Sequence, residues 1–223
     1  MRRRLLALLT ASLATAAFAA SCPNGAALLK NNTPLADLCP KGFGQFNPGS
    51  ISQAMQAQPN NVAMVVAAAE QAGVPTNLAL AVSYHESEGF NSCAGSDTGV
   101  KGPMQLTQRT ARTLGYNRDI NEQNIKGGMA VLKQVVDACG ATNYTCLSAR
   151  YNGSPRPGEQ AGWARGVQRA DAQVQNNPSL LAQACTTPAN KGGTDCPSGG
   201  ATPNGVIPPT PGNAPVQLPP NLA

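Results

Sequence analysis

The stretch LALAVSYHESEGFNSCAGSDTGVKGPMQLT, residues 78–107, decides how this chain is read. Its first third is helical: Leu78, Ala81, Val82 and His85 recur at i, i+3, i+4 and i+7 and share one face. Glu86 lies one turn beyond Val82, so a carboxylate reaches the end of the helix beside apolar neighbours. Glu88-Gly89-Phe90 closes the helix, and Asn91 to Gly102 forms a Ser/Gly-rich loop. The chain returns as Gly102-Pro103-Met104-Gln105, and Thr107 caps a short helix from Gln108 to Leu114 that Gly115 stops.

Helical spacing continues on both sides. Pro59-Asn60-Asn61 opens a run in which Val62, Val65, Val66, Ala69 and Ala72 repeat until Gly73, and Thr76 reads as the N-cap of the next helix. Downstream, Ile125, Gly128, Met129, Leu132, Val136 and Cys139 trace one stripe that Gly140 ends. Gly127 and Gly128 each cost about 1 kcal/mol of helix propensity relative to Ala. A close approach by another helix or loop would offset that cost. Asn143 caps a helix that leads into Tyr151-Asn152, and a last helix from about Glu159 to Gln175 carries Trp163, Val167, Ala170 and Val174 on one side. No period-2 strand of useful length occurs, so the fold class is all-α.

Residues 1–20 read as a signal peptide: Arg2, Arg3 and Arg4 precede the apolar run Leu5 to Ala16, and Ala17-Phe18-Ala19 supplies a cleavage site. Exported chains form disulfides, and this one has 7 cysteines. Two arrangements are open. Ala19-Ala20-Ser21-Cys22 can be read as a lipoprotein site, in which case Cys22 is acylated, the chain meets a membrane there, and an even set of six cysteines remains. Otherwise the local pairs Cys22–Cys39, Cys139–Cys146 and Cys185–Cys196 leave Cys93 alone.

With no Cys-x-x-Cys unit and a single histidine, neither a metal site nor a cofactor is expected. The formal charge of +5 drops to +2 once Arg2, Arg3 and Arg4 leave with the signal, which does not imply nucleic acid. Residues 21–58 are expected to be an irregular, stapled segment and 59–185 the functional domain. From residue 186 to 223 the chain holds nine prolines and six glycines in 38 residues, a composition that reads as a flexible tail.

The order of motifs resembles one family. Glu86-Ser87, Ser96 and Gly102-Pro103-Met104-Gln105 are similar to the Glu-Ser…Ser…Gly-Leu-Met-Gln signature of lytic transglycosylases of the goose-lysozyme-like superfamily. Asn124-Ile125 with Gly127 and Gly128 looks like that family's Asn-Ile…Gly helix, and Ala149-Arg150-Tyr151-Asn152 like its Ala-x-Tyr-Asn element. The resemblance implies a lysozyme-like helical domain acting on peptidoglycan glycan strands. It also implies one catalytic Glu, here Glu86, which protonates the glycosidic oxygen and then, as carboxylate, takes a proton from the muramoyl C6 hydroxyl. That hydroxyl attacks C1 and closes a 1,6-anhydro ring.

By the same resemblance Ser87, Ser96, Gln105 and Asn152 would bind substrate, Met104 would floor a sugar, and the Tyr151 hydroxyl would reach the catalytic carboxyl. Pro103 and Ser154 depart from the pattern, standing where Leu and Gly are expected. A hydrolytic muramidase would need a second carboxylate, for which Glu88, Asp97 and Asp119 are available and Asp97 is the first choice. A third reading is a weakly active glycan-binding assembly protein. His85, adjacent to Glu86, points about 100° away from it on a helix and is expected to be a core histidine. A Cys93/His85 nucleophilic pair is the less favoured alternative.

Small members of this kind serve secretion, conjugation or pilus machines, and the tail would be the segment that meets such an apparatus. Lacking apolar periodicity, the tail is not expected to contribute to the cleft. A chain ending at Pro188 should therefore cleave purified cell wall as the full chain does. Equal loss of cleavage in that well-folded truncation would show that the tail reaches the active site.

Overall fold

A computed structural model describes residues 22–96 and 99–186. The expected signal peptide, Asp97, Cys196 and the tail beyond Thr186 lie outside the described residues. In chain order the helices are α1 (Pro23–Leu28), α2 (Leu35–Leu38), α3 (Ile51–Ala57), α4 (Pro59–Ala72), α5 (Thr76–Glu86), α6 (Gln108–Thr113), α7 (Asn121–Cys139), α8 (Tyr144–Tyr151), α9 (Pro157–Gln175) and α10 (Pro178–Thr186). Among the described residues, β-pairing is confined to isolated bridges.

Helix α4 is the centre. Every residue from Pro59 to Ala69 is buried, as expected of a helix that is apolar nearly all round. α1, α5 and α7 pack against it, and α9 covers the other side of α5 and also holds α8. Leu78, Ala79, Leu80, Ala81 and Val82 of α5 are therefore fully buried between α4 and α9. Gly73 ends α4 in the left-handed conformation, φ 68°, where its backbone N–H reaches back to the Ala69 and Glu70 carbonyls. The cap of α5 differs from expectation: Pro75 holds the N-cap position and Thr76 is the first helical residue, with no side-chain cap.

Within the segment expected to be irregular, the described residues form three short helices, α1, α2 and α3, joined by non-helical stretches. α1 docks on α4 because Gly25 lets the Ala63 carbonyl approach, where a Cβ would stand 1.9 Å from that oxygen. α3 opens with a capping box: Gln53 N–H donates to Ser50 Oγ at 3.3 Å and Ser50 N–H donates to Gln53 Oε1 at 2.9 Å. That signature, Ser50-Ile51-Ser52-Gln53, was present in the sequence.

The disulfides are Cys22–Cys185, Cys39–Cys93 and Cys139–Cys146. Only the last is one of the expected local pairs. Cys22 does not pair with Cys39, nor Cys185 with Cys196, because packing of α10 against α1, α3, α4 and α9 brings the two ends of the domain together. The Cys22 sulfur is thus engaged, which removes it from the thioether that a lipoprotein reading requires. Cys93 is not alone, and a disulfide cysteine is no nucleophile.

The long α5–α6 connection is held by buried amides in place of a sheet. Asn61 Nδ2 donates to the Phe90 carbonyl at 2.7 Å and to Ser92 Oγ at 2.8 Å, and Asn121 Nδ2 donates to Asn61 Oδ1 at 2.9 Å. Asn124 accepts from Met104 N–H at 3.0 Å and donates to the Lys101 carbonyl at 2.8 Å. Gly102, φ 76°, makes this approach possible, since a Cβ there would lie 2.8 Å from Asn124 Cγ. The glycine pair of α7 has the same purpose: Gly127 faces Leu106 and Gly128 faces Met104, so the close approach is helix to loop.

These contacts predict opposite signs for two glycine replacements. In Gly128→Ala the new Cβ would meet Met104 Cβ at 2.2 Å, an overpacking cost of roughly 1–3 kcal/mol that exceeds the propensity gain of about 1 kcal/mol. Gly162 in α9 faces open space, so Gly162→Ala should gain up to about 1 kcal/mol. Urea unfolding midpoints decide it; a stabilised Gly128→Ala would mean that the loop does not press on α7.

Candidate active site

A cleft of about 600 Å³ opens along the C-terminal end of α5. α9 forms one wall with Gly158, Gly162 and Trp163, and the opposite wall is built from Gly44, Gln45, Ala94, Gly95 and Ser96. Glu86, the last residue of α5, lies in the cleft between them.

The carboxyl of Glu86 accepts a hydrogen bond from the Trp163 indole, Nε1 to Oε1 2.6 Å. Burial disfavours its charged form and raises its pKa to about 7, while the indole N–H acts in the opposite direction by favouring the carboxylate. Trp163 is itself fixed on two sides. Tyr151 stacks on it with ring centroids 5.9 Å apart and planes at 29°, and His85 meets it edge-on at 5.9 Å and 88°. α5, α8 and α9 therefore converge on one carboxyl group.

His85 is not a core histidine. It is half-buried in the cleft wall, and it fits because residue 166 is glycine: a Cβ there would come within 2.5 Å of the imidazole Cε1. Burial and the Arg169 charge both push its pKa down, so the ring is neutral at pH 7.

The residues expected to touch substrate divide into two groups. Asn152 and Ser96 line the cleft, with Ser96 exposed at its rim and Asn152 almost enclosed. Ser87 does not: it is fully buried, donates to the Ser83 carbonyl at 2.7 Å and accepts from Asn91 N–H at 3.1 Å, so it secures the turn behind Glu86. Met104, also fully buried, is core packing under α7 and cannot floor a sugar.

Gln105 borders the cleft, yet its amide nitrogen is spent on the Ala94 and Gly102 carbonyls at 3.0 and 2.8 Å, leaving its oxygen for a ligand. The Tyr151 hydroxyl donates to the Met104 carbonyl at 3.3 Å and not to Glu86. Burial, and then the Glu86 charge, raise the tyrosine pKa well above its usual value, so it stays neutral beside the acid.

Two further carboxylates face the cleft. Glu88 accepts from Phe46 N–H, and burial raises its pKa. Glu159 accepts from Ser154 Oγ and from Arg156 Nη1, partners that hold its pKa below the ordinary range. Ser154, one of the two departures from the family pattern, is thus a partner of Glu159. Asp119 pairs with Lys101 at 3.4 Å and Arg118 at 3.2 Å and does not line the cleft. Trp163, Glu159 and Gln45 were not anticipated as site residues. For Trp163 the available signal was that it is the chain's one tryptophan; its apolar stripe on α9 pointed to the core instead.

A helical domain with a desolvated carboxyl at a helix end in an open cleft has the form of a lysozyme-like enzyme. Residues 63–174 match the Transglycosylase SLT domain family, and the chain belongs to that family. It is similar to the protein named Transglycosylase of Enterobacteria phage PRD1, with 34% identity over 116 residues covering 52% of this chain and 42% of the phage protein. It is also similar to two proteins named Membrane-bound lytic murein transglycosylase F. That of Aeromonas hydrophila is 40% identical over 70 residues, 31% of this chain and 14% of that protein. That of Shewanella oneidensis is 47% identical over 58 residues, 26% and 12% respectively. The chain thus spans less than half the length of each of these relatives.

The proton-donating form of Glu86 predominates below about pH 7, so the rate of any reaction in which it serves as acid should fall as pH rises through that value. Trp163→Phe keeps an aromatic ring at this position but removes the N–H that favours the carboxylate. The falling limb of the pH–rate profile should therefore move to higher pH, with a lower rate overall. A limb that stays in place would mean that the indole does not act on Glu86.

Proposed function

We propose that this chain is an exported peptidoglycan lytic transglycosylase that cleaves the β-1,4 bond between N-acetylmuramic acid and N-acetylglucosamine. The observation that supports this most is the Glu86 carboxyl, held by the Trp163 N–H with a pKa of about 7 inside an open cleft. A group near neutrality can serve in both directions, first as acid to the leaving oxygen and then as base to the muramoyl C6 hydroxyl. Ring closure of that hydroxyl on C1 gives the 1,6-anhydro product and consumes no water. Asn152, Ser96 and the Gln105 oxygen are the groups placed to orient acetamido substituents.

A hydrolase would need a second carboxylate free to hold water or attack. Of the described candidates, Glu88 is engaged with Phe46 N–H and Glu159 with Ser154 and Arg156, which favours the anhydro route. Three disulfides agree with an oxidising envelope compartment. No described helix is long and apolar enough to cross a membrane. Local opening of the wall for a secretion, conjugation or pilus apparatus, met through the proline-rich tail, completes the proposal.

Mass spectrometry of muropeptides released by the purified protein tests it. Anhydro-muramoyl ends are expected; hydrated reducing ends would make the chain a muramidase. Glu86→Gln should release neither while remaining folded. It should also change stability with a defined sign. A carboxyl whose folded pKa is raised from 4.5 to about 7 weakens the native state as pH rises between those values, by at most about 3 kcal/mol. Glu86→Gln should match the parent near pH 4 and exceed it at pH 8 in thermal unfolding. Equal stability at both pH values would mean that the carboxyl is not desolvated.

A further inference from the structure

Part of the wall facing α9, Gly44 and Gln45, lies outside the matched family domain. It comes from an arm of the chain, residues 39–49, that precedes residues 63–174 and runs along the turn after Glu86. Several contacts tie it there. Cys39 is bonded to Cys93. Gly44 pairs with the loop: its N–H donates to the Cys93 carbonyl at 3.0 Å, and its carbonyl accepts from Gly95 N–H at 3.0 Å. Phe46 N–H donates to Glu88, the Tyr84 hydroxyl donates to the Gly49 carbonyl at 2.8 Å, and Pro48 presses on Gly89, where a Cβ would lie 2.8 Å away.

Gln45 stands between two of these anchors. Its neighbours Gly44 and Phe46 are both pinned, whereas Gln45 is exposed, lines the cleft and makes no hydrogen bond through side chain or backbone to another described residue. A primary amide offers one acceptor and two N–H donors, which matches the C=O and N–H of an acetamido group. Across the cleft α9 presents Gly158 and Gly162, with no side chain to fill the intervening space. The anchors on both neighbours fix the Gln45 backbone, so only side-chain rotations are lost when its amide binds.

We propose that the arm around Gln45 is a saccharide-binding wall added to the family domain, with the Gln45 amide binding a substrate acetamido group and the Cys39–Cys93 bond holding it in register with Glu86. The proposal rests on the reading of this cleft as a glycan site. Gln45 touches substrate only to bind it, so its loss should appear in affinity and not in the chemical step.

The test uses calorimetry of an N-acetylglucosamine tetramer with the full chain carrying Glu86→Gln, so that no cleavage intrudes, and steady-state cleavage of soluble uncrosslinked glycan strands by the chain with Glu86 intact. Gln45→Ala should weaken tetramer binding roughly five-fold, the worth of one hydrogen bond, and raise KM by a similar factor with kcat nearly constant. Replacing Cys39 and Cys93 with Ser should weaken binding too. In that background Gln45→Ala should add much less, a non-additivity that a general loss of stability would not produce. Unchanged affinity and KM in Gln45→Ala overturn the proposal, as does failure of the Glu86→Gln chain to bind the tetramer. Gln45-dependent binding by a chain that cleaves nothing would support the arm while refuting the lyase reading. Should the Ser/Ser chain not fold, Gln45→Ala decides alone.

Discussion

One hydrogen bond carries the site: the Trp163 indole N–H on the Glu86 carboxyl at 2.6 Å. Burial makes the charged carboxylate expensive and so keeps the acid protonated near neutrality, but a carboxyl that could never ionise would be useless as a base. A neutral donor moderates the first effect without introducing a fixed positive charge, which would hold the group as a carboxylate. The stacked Tyr151 and edge-on His85 keep the indole where it can donate. α5 therefore needs both of its buried faces, one on α4 for stability and one on α9 for chemistry.

The loop that returns from Glu86 to Gln105 is held differently. Asn61 and Asn124 bond its backbone groups, and Asn121 bonds the Asn61 and Ser92 side chains, each reaching in from a helix, so loop position depends on helix position. Buried amide networks are costly when incomplete, which gives the arrangement a single geometry rather than several. Gly102, Gly127 and Gly128 are the spatial counterpart, because without Cβ atoms the helix and loop come close enough for the network to form. The disulfides act at a longer range: Cys22–Cys185 closes the two ends of the domain, and Cys39–Cys93 joins the N-terminal arm to the active-site loop.

Much of this was legible in residue order. The apolar spacing of α4, α5 and α7 and the end-of-helix position of Glu86 follow from period and capping alone. The glycine pair of α7 announced a close approach, because nothing else offsets its propensity cost. Illegible were contacts between residues distant in sequence: Trp163 with Glu86, Cys22 with Cys185, and Gln45 across from α9. Ser87, Met104 and Tyr151 show a related limit. A motif indicates that a residue is needed near the acid, but sugar contact and support from behind leave the same letter in the sequence. Only burial separates them, and all three are fully buried.

Everything in the site follows from Glu86 being a desolvated acid poised near neutrality. Titration of its side-chain carboxyl carbon by NMR in the isotopically labelled chain, assigned by its absence in Glu86→Gln, measures this without substrate. A midpoint at about 7 is expected. A midpoint at the ordinary carboxyl value of 4.5 would contradict it, because the group would then be a solvated carboxylate at working pH with no proton to give.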